Sequence, residues 1–163
     1  MAREEDFERW YAEHAEPLLV FLTMRTGDRS LAEDLVGETF VRVLRSRTRF
    51  DRRKASVKTW IYTIALNCLR DHARRRGAES RALEQSHAMA LPGVAAAWDD
   101  VVSDRDALNR ALATLSEEER EAITLRYGAD LTVPEIAKVL GEPLQRVEGR
   151  VYRALRKLRE ELP

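Results

Sequence analysis

Between Leu144 and Leu162 the apolar residues Leu144, Val147, Val151, Leu155, Leu158 and Leu162 follow one another in steps of three or four. Such steps put side chains on one face of a helix, whereas a half-buried strand needs a step of two. The helical step recurs along the chain and no strand pattern competes with it. Phe7, Trp10, Tyr11, Leu18 and Leu22 mark a first helix, with Gly27 as its stop. Ser30 and Glu33 have capping-box spacing and open a second helix, whose stripe carries Ala32, Leu35, Val36, Phe40, Val43 and Leu44. A basic loop from Arg45 to Lys54 leads to a third helix from Ser56 to Arg76, closed by Gly77.

Residues 78–103 lose this periodicity and contain Pro92 and Gly93, as a linker does; Trp98 with Val101 and Val102 is a candidate docking spot or short helix within it. The helical pattern then resumes with Ala107, Leu108, Ala111, Leu112 and Leu115. Ser116 with Glu119 forms a second capping box, and the helix it opens stops at Gly128. Thr132, Pro134 and Glu135 open a short helix that ends at Gly141, before the long final one. The expected fold is all-α: two small helical domains, residues 1–77 and 104–163, joined by the linker, with a helix-turn-helix in the second. Each domain is near the size at which one core is marginal, which favours docking on a larger partner.

Net charge is zero, but its distribution is not even. Residues 1–40 carry net −6, residues 41–77 net +10, residues 78–143 net −7 and residues 144–163 net +3. Screening acts over about 8 Å at physiological salt, so a phosphate responds to the local cluster and not to the total. Arginine outnumbers lysine 24 to 4, which suits phosphate recognition. No run approaches the roughly 20 apolar residues of a membrane span, and the acidic N-terminus lacks the regions of a signal peptide. A cytoplasmic protein without membrane insertion is expected. Cys68 is the one cysteine; with His72 it supplies two ligands, which do not close a zinc site, and His14 and His87 stand apart. With no nucleophile pattern and no glycine-rich phosphate loop, neither enzymatic activity, a small-molecule substrate, a metal nor any cofactor is expected.

The two helices after Thr132, with glycine at the turn and the longer helix second, have helix-turn-helix spacing. The second helix of such a unit lies in the major groove. Gln145, Arg146, Glu148, Gly149, Tyr152 and Arg153 lie off its apolar stripe and early enough to reach base edges, while Arg150, Arg156 and Lys157 are placed for phosphates. The stretch from Ser56 to Arg76 has a different character. It sets Trp60, Tyr62 and Asn67 between two basic clusters, which suits unstacked bases on a held backbone.

Phe50, then Ser56, Thr59-Trp60-Ile61-Tyr62, Ile64-Ala65, Asn67, Asp71 and Arg74-Arg75 form a motif that resembles the promoter-melting region of bacterial sigma factors. The resemblance is closest to the small two-domain branch, the extracytoplasmic-function sigma factors. Ala32 to Val43 resembles that family's surface for the clamp of RNA polymerase, and Leu131 to Ala154 its upstream-promoter reader. The resemblance implies a protein that binds core RNA polymerase, reads both promoter elements and assists melting, with an anti-sigma factor as regulator. It implies Asn67 as the reader of a flipped base, Phe50 and Tyr62 as its pocket, and Trp60 and Ile64 as core. Arg52, Arg53, Lys54, Lys58, Arg70, Arg74, Arg75 and Arg76 then hold the promoter backbone. Glu33, Asp34, Leu35, Glu38, Thr39 and Arg42 form the polymerase-facing surface.

The chain departs from the family pattern at Gly37 (usually glutamine), Leu44 (commonly tryptophan), Arg146, Glu148 and Gly149, and its loop from Phe50 to Trp60 is one residue longer than in some relatives. Glu148 is disfavoured beside phosphate but can accept a hydrogen bond from cytosine. Two other readings fit parts of the chain: a conventional helix-turn-helix regulator that binds duplex without polymerase, and a helical polymerase-binding adaptor.

Overall fold

The computed structural model describes residues 4–79 and 102–162, all of it helix, turn or loop, with no strand among the described residues. The elements are α1 (Glu4–Thr26), α2 (Arg29–Ser46), a 3-10 turn (Arg47–Arg49), α3 (Val57–Glu79), α4 (Val102–Ala113), α5 (Glu117–Ile123), a π-helical turn (Thr124–Gly128), α6 (Val133–Leu140) and α7 (Leu144–Glu161). Most of the expected linker, including Trp98, lies outside the described residues, and its two ends belong to α3 and α4.

Local chemistry sets several helix ends. Gly27 takes a left-handed φ of 68° and closes α1. Ser116 and Glu119 exchange hydrogen bonds as a full capping box, and Thr132 and Glu135 repeat it at α6, where Pro134 occupies the first turn. Gly141, at φ 66°, makes the helix-turn-helix turn.

Three ends differ from expectation. α2 is capped by Asp28, whose side chain accepts from the Leu31 N–H at 3.2 Å, and Glu33 pairs with Arg29 instead of forming a box with Ser30. α3 runs through Gly77 to Glu79, and Gly77 does not take the left-handed turn with which glycine commonly closes a helix. Gly128 is likewise not left-handed; the chain reverses at Asp130, φ 55°, after the π turn.

Trp10, Leu18, Phe21 and Leu22 of α1, Leu35, Phe40 and Val43 of α2, and Ile61, Ala65 and Leu66 of α3 fill the first unit. Leu115, Ala122, Leu125, Leu131, Ile136, Val147 and Ala154 fill the second, and all of these belong to one continuous core cluster. α3 packs on α6, and α1 on the π turn. Two small units with incomplete cores gain by burying their remaining apolar faces against each other.

Tyr62 sits inside this core, edge-on to Phe21 with ring centroids 5.3 Å apart, and its hydroxyl finds no partner among the described residues. Burial pushes the phenol up to about 12. An unfolded tyrosine ionises near pH ~10. The stability carried by the neutral phenol is therefore whole below that pH and is lost as pH rises through the folded value. Tyr62→Phe removes the unpaired hydroxyl; urea unfolding at neutral pH should show a gain of about 1 kcal/mol, and the alkaline loss should shrink. A loss of stability would mean that the hydroxyl has a partner in solution.

Candidate nucleic-acid and polymerase interface

The loop after α2 carries Phe50 back onto the start of α3, where its ring stacks on Trp60 at 4.7 Å and 29°. Trp10 of α1 meets both edge-on, at 5.5 and 5.8 Å. Trp60 and Ile64 are half-buried and packed against the core, as expected of them. Ser56 fixes the start of α3 by accepting from the Thr59 N–H at 3.1 Å. Asn67, two turns beyond Trp60, is exposed. Tyr62, expected beside it at a flipped base, is instead fully buried and offers no surface to a ligand in this arrangement. Beside the aromatic stack lies an open cleft of about 290 Å³, lined by Arg9, Trp10, Glu13, Arg52, Ser56 and Val57 among others. The α1 side of this cleft went unnoticed in the sequence, since Trp10 carries only the ordinary helical spacing of a core residue.

The basic residues fall into two groups. Arg52, Arg53, Lys54, Arg74, Arg75 and Arg76 are exposed, with Arg53 lying against Asp51 at 3.1 Å. Lys58 and Arg70 instead face the second unit. Lys58 Nζ donates to the Asp130 carbonyl at 3.3 Å, and Arg70 lies 3.9 Å from Glu121. Glu121 also pairs with the largely covered Arg25 at 3.7 Å. Burial pulls the Arg25 guanidinium below its usual range, opposed by Glu121 and Glu117.

On α2, Glu33 and Asp34 are exposed and Glu38 is partly so. Leu35 and Thr39 are core, Thr39 donating to the Leu35 carbonyl at 2.6 Å, so they hold the helix in place and cannot meet a partner directly. The outward face carries Val41 and Leu44 instead, both exposed. Leu44 therefore leaves the core stripe in which the sequence placed it. Arg42 bonds Glu38 and, at 3.1 Å, Asp71 of α3; the Asp71 bond is the main reason its pKa is raised. This clasp ties the α2 face to the basic end of α3.

Gln145, Arg146, Glu148, Tyr152, Arg153 and Arg156 are exposed on α7, and Gly149 is half-exposed. Arg150 is not available to phosphate: it is buried, 2.7 Å from Glu142 and 3.3 Å from Glu118. It sits three residues after Val147 and four before Ala154, on the apolar stripe, a spacing that could have identified it. Lys157 bonds Glu119 at 2.8 Å, with Arg153 3.9 Å away. Burial alone would raise the Glu119 carboxyl. Lys157, the Ser116 N–H and Arg153 outweigh that and hold it below the usual range. Cys68 is buried, which raises its thiol pKa, and no metal-ligating cluster occurs among the described residues.

A helix-turn-helix with an exposed basic face, docked on a helical unit that shows an aromatic stack between arginine clusters, is the arrangement of a bipartite DNA-binding transcription protein. Family models agree with that division: Sigma-70 region 2 matches residues 10–79, and Sigma-70, region 4 matches residues 111–160. The chain belongs to the extracytoplasmic-function sigma factors, and it is a sigma factor that binds core RNA polymerase and promoter DNA in transcription initiation.

It is 34% identical to the RNA polymerase sigma factor CarQ of Myxococcus xanthus over 96% of this chain and 89% of that one. It is 30% identical to the ECF RNA polymerase sigma factor BldN of Streptomyces coelicolor over 96% of its own length, but spans only 60% of that longer protein. The sigma factor RpoE of Bartonella quintana, solved in complex with the anti-sigma factor NepR, shares the fold, with a TM-score of 0.72 over 96% of both chains at 24% identity. No described helix is long and apolar enough to cross a membrane.

Proposed function

We propose a division of labour within this sigma factor. The outward face of α2, with Glu33, Asp34, Glu38, Val41 and Leu44, docks on core polymerase, its acidic rim against basic groups and its two exposed aliphatics at the centre. α7 reads the upstream element from the major groove through Gln145, Arg146, Glu148, Tyr152 and Arg153, with Arg156 on phosphate. The downstream element is opened at α3, where Asn67 reads a base taken out of the stack. The Phe50–Trp60 pair offers the aromatic surface, and Arg52, Lys54, Arg74, Arg75 and Arg76 hold the backbone.

The observation that carries this reading is the exposed Asn67 amide on the same helix as Trp60 of the aromatic stack, with exposed arginines before and at the end of that helix. Extracting a base costs a few kcal/mol, and stacking returns ~1–3 kcal/mol per base, so an amide that bonds only the right base decides the balance. Lys58 and Arg70 are held by Asp130 and Glu121 in the docked arrangement; their use on phosphate requires the second unit to leave this face. The chain catalyses nothing itself, and it works in the cytoplasm with the polymerase. An anti-sigma factor is a further partner, by likeness to the Bartonella quintana protein solved with NepR.

Asn67→Ala tests the base-reading role. On templates that differ in one downstream base, wild type should prefer one base by about tenfold, and the variant should lose that preference while still binding polymerase. Unchanged discrimination would remove Asn67 from the role.

A further inference from the structure

Gly149 stands in the middle of α7, where glycine weakens a helix relative to alanine, and its backbone is not left-handed. No conformational demand therefore calls for glycine there. The surroundings supply the reason. A Cβ on Gly149 would come within 3.1 Å of Arg153 Nη1 and 3.9 Å of its Cζ, and within 4 Å of no other non-neighbouring side chain. Helical side chains lean toward the N-terminus and cover the turn before their own Cα, so Arg153 lies over the position that Gly149 leaves bare. The steps 145, 149, 152 and 156 place Gly149 on one face with Gln145, Tyr152 and Arg156, whose side chains are exposed. Among the described residues the charged partner of the Arg153 guanidinium is Glu119, 3.9 Å from Arg153 Nε, too long for a hydrogen bond.

We propose that Gly149 is a specificity-determining slot: its missing side chain lets Arg153 lie back along α7 and present its two-pronged donor to a guanine of the upstream element. Arg153 thereby reads from the position of residue 149, one turn nearer the N-terminal end of the helix that enters the groove. A guanidinium fork matches guanine O6 and N7, which no other base pair presents in that pattern. The inference rests on the reading of α7 as the upstream-element helix.

The test uses full-length chain, core polymerase and a promoter library randomised across the upstream element, with transcripts sequenced. Wild type should enrich guanine at one position. Arg153→Ala should lower that enrichment about tenfold, and Arg153→Lys nearly as much, because lysine keeps the charge but not the fork. Gly149→Ala and Gly149→Ser should lower it several-fold at the same position, although alanine should raise the melting temperature by favouring helix. A guanine preference that Gly149→Ala leaves intact overturns the slot, even if Arg153→Ala abolishes it. A preference that survives Arg153→Ala overturns the role of Arg153. Failure of the wild-type protein to select any upstream sequence, with normal transcription, would instead overturn the reading of α7 itself and the slot with it.

Discussion

Trp10→Ala is expected to cost about 3–5 kcal/mol of unfolding free energy, the range for removing a large aromatic side chain from a core. Trp10 is 2% exposed, and its ring meets both Phe50 and Trp60. Its removal leaves a cavity under the loop that carries Phe50, so the loss falls on stability and on the proposed melting surface together. Two-state urea unfolding measures the first; formation of heparin-resistant open complexes at saturating protein measures the second, below the unfolding midpoint. Trp10→Phe keeps an aromatic edge in place and should recover more than half of both. A loss under ~1 kcal/mol would show that α1 does not anchor the loop.

Glu121→Ala carries the second large effect. The Arg25 side chain is only 11% exposed, its Nε has no partner among the described residues, and Glu121 is the carboxylate that pairs with it across the two units. Removing one partner of a buried pair typically costs 3–5 kcal/mol, because a charge is left without compensation. Here the guanidinium has an escape, since separation of the units returns it to water. The penalty is therefore limited by the docking free energy, and about 2–3 kcal/mol is expected. It should appear as opening: a larger radius of gyration in small-angle scattering with helix content unchanged. Arg25→Met, which removes the charge and keeps the volume, should remain closed. Equal radii for wild type and Glu121→Ala would show that apolar contacts alone hold the units together.

How far the sequence spoke for itself depended on whether a feature is local. The box at Ser116, the helix opening at Thr132 and the stops at Gly27 and Gly141 were legible because cap and helix start lie within a few residues; the box expected at Ser30 failed because Asp28, two residues earlier, caps α2 instead. Gly77 and Gly128 were misread because composition does not say whether a glycine turns left-handed. On α3 the difficulty was burial. α1, α2 and α6 all pack on this helix, so no single stripe separates inside from outside, and Tyr62 could not be told from a surface aromatic. Arg150 was misplaced for the opposite reason. Its position on the stripe implied burial, but its charge suggested solvent, and its partners Glu118 and Glu142 lie on α5 and in the turn before α7. The meeting of Arg25 and Arg70 at Glu121 had no sequence signal, since nothing in either half foretells which faces dock.

The central claim is that this chain gives core polymerase a promoter specificity built from two elements. Run-off transcription on fragmented genomic DNA with purified core polymerase, with and without the chain, tests it directly. New start sites should appear only with the chain, preceded by two shared sequence elements, and the two proteins should co-purify. No new start sites and no co-purification would contradict the account.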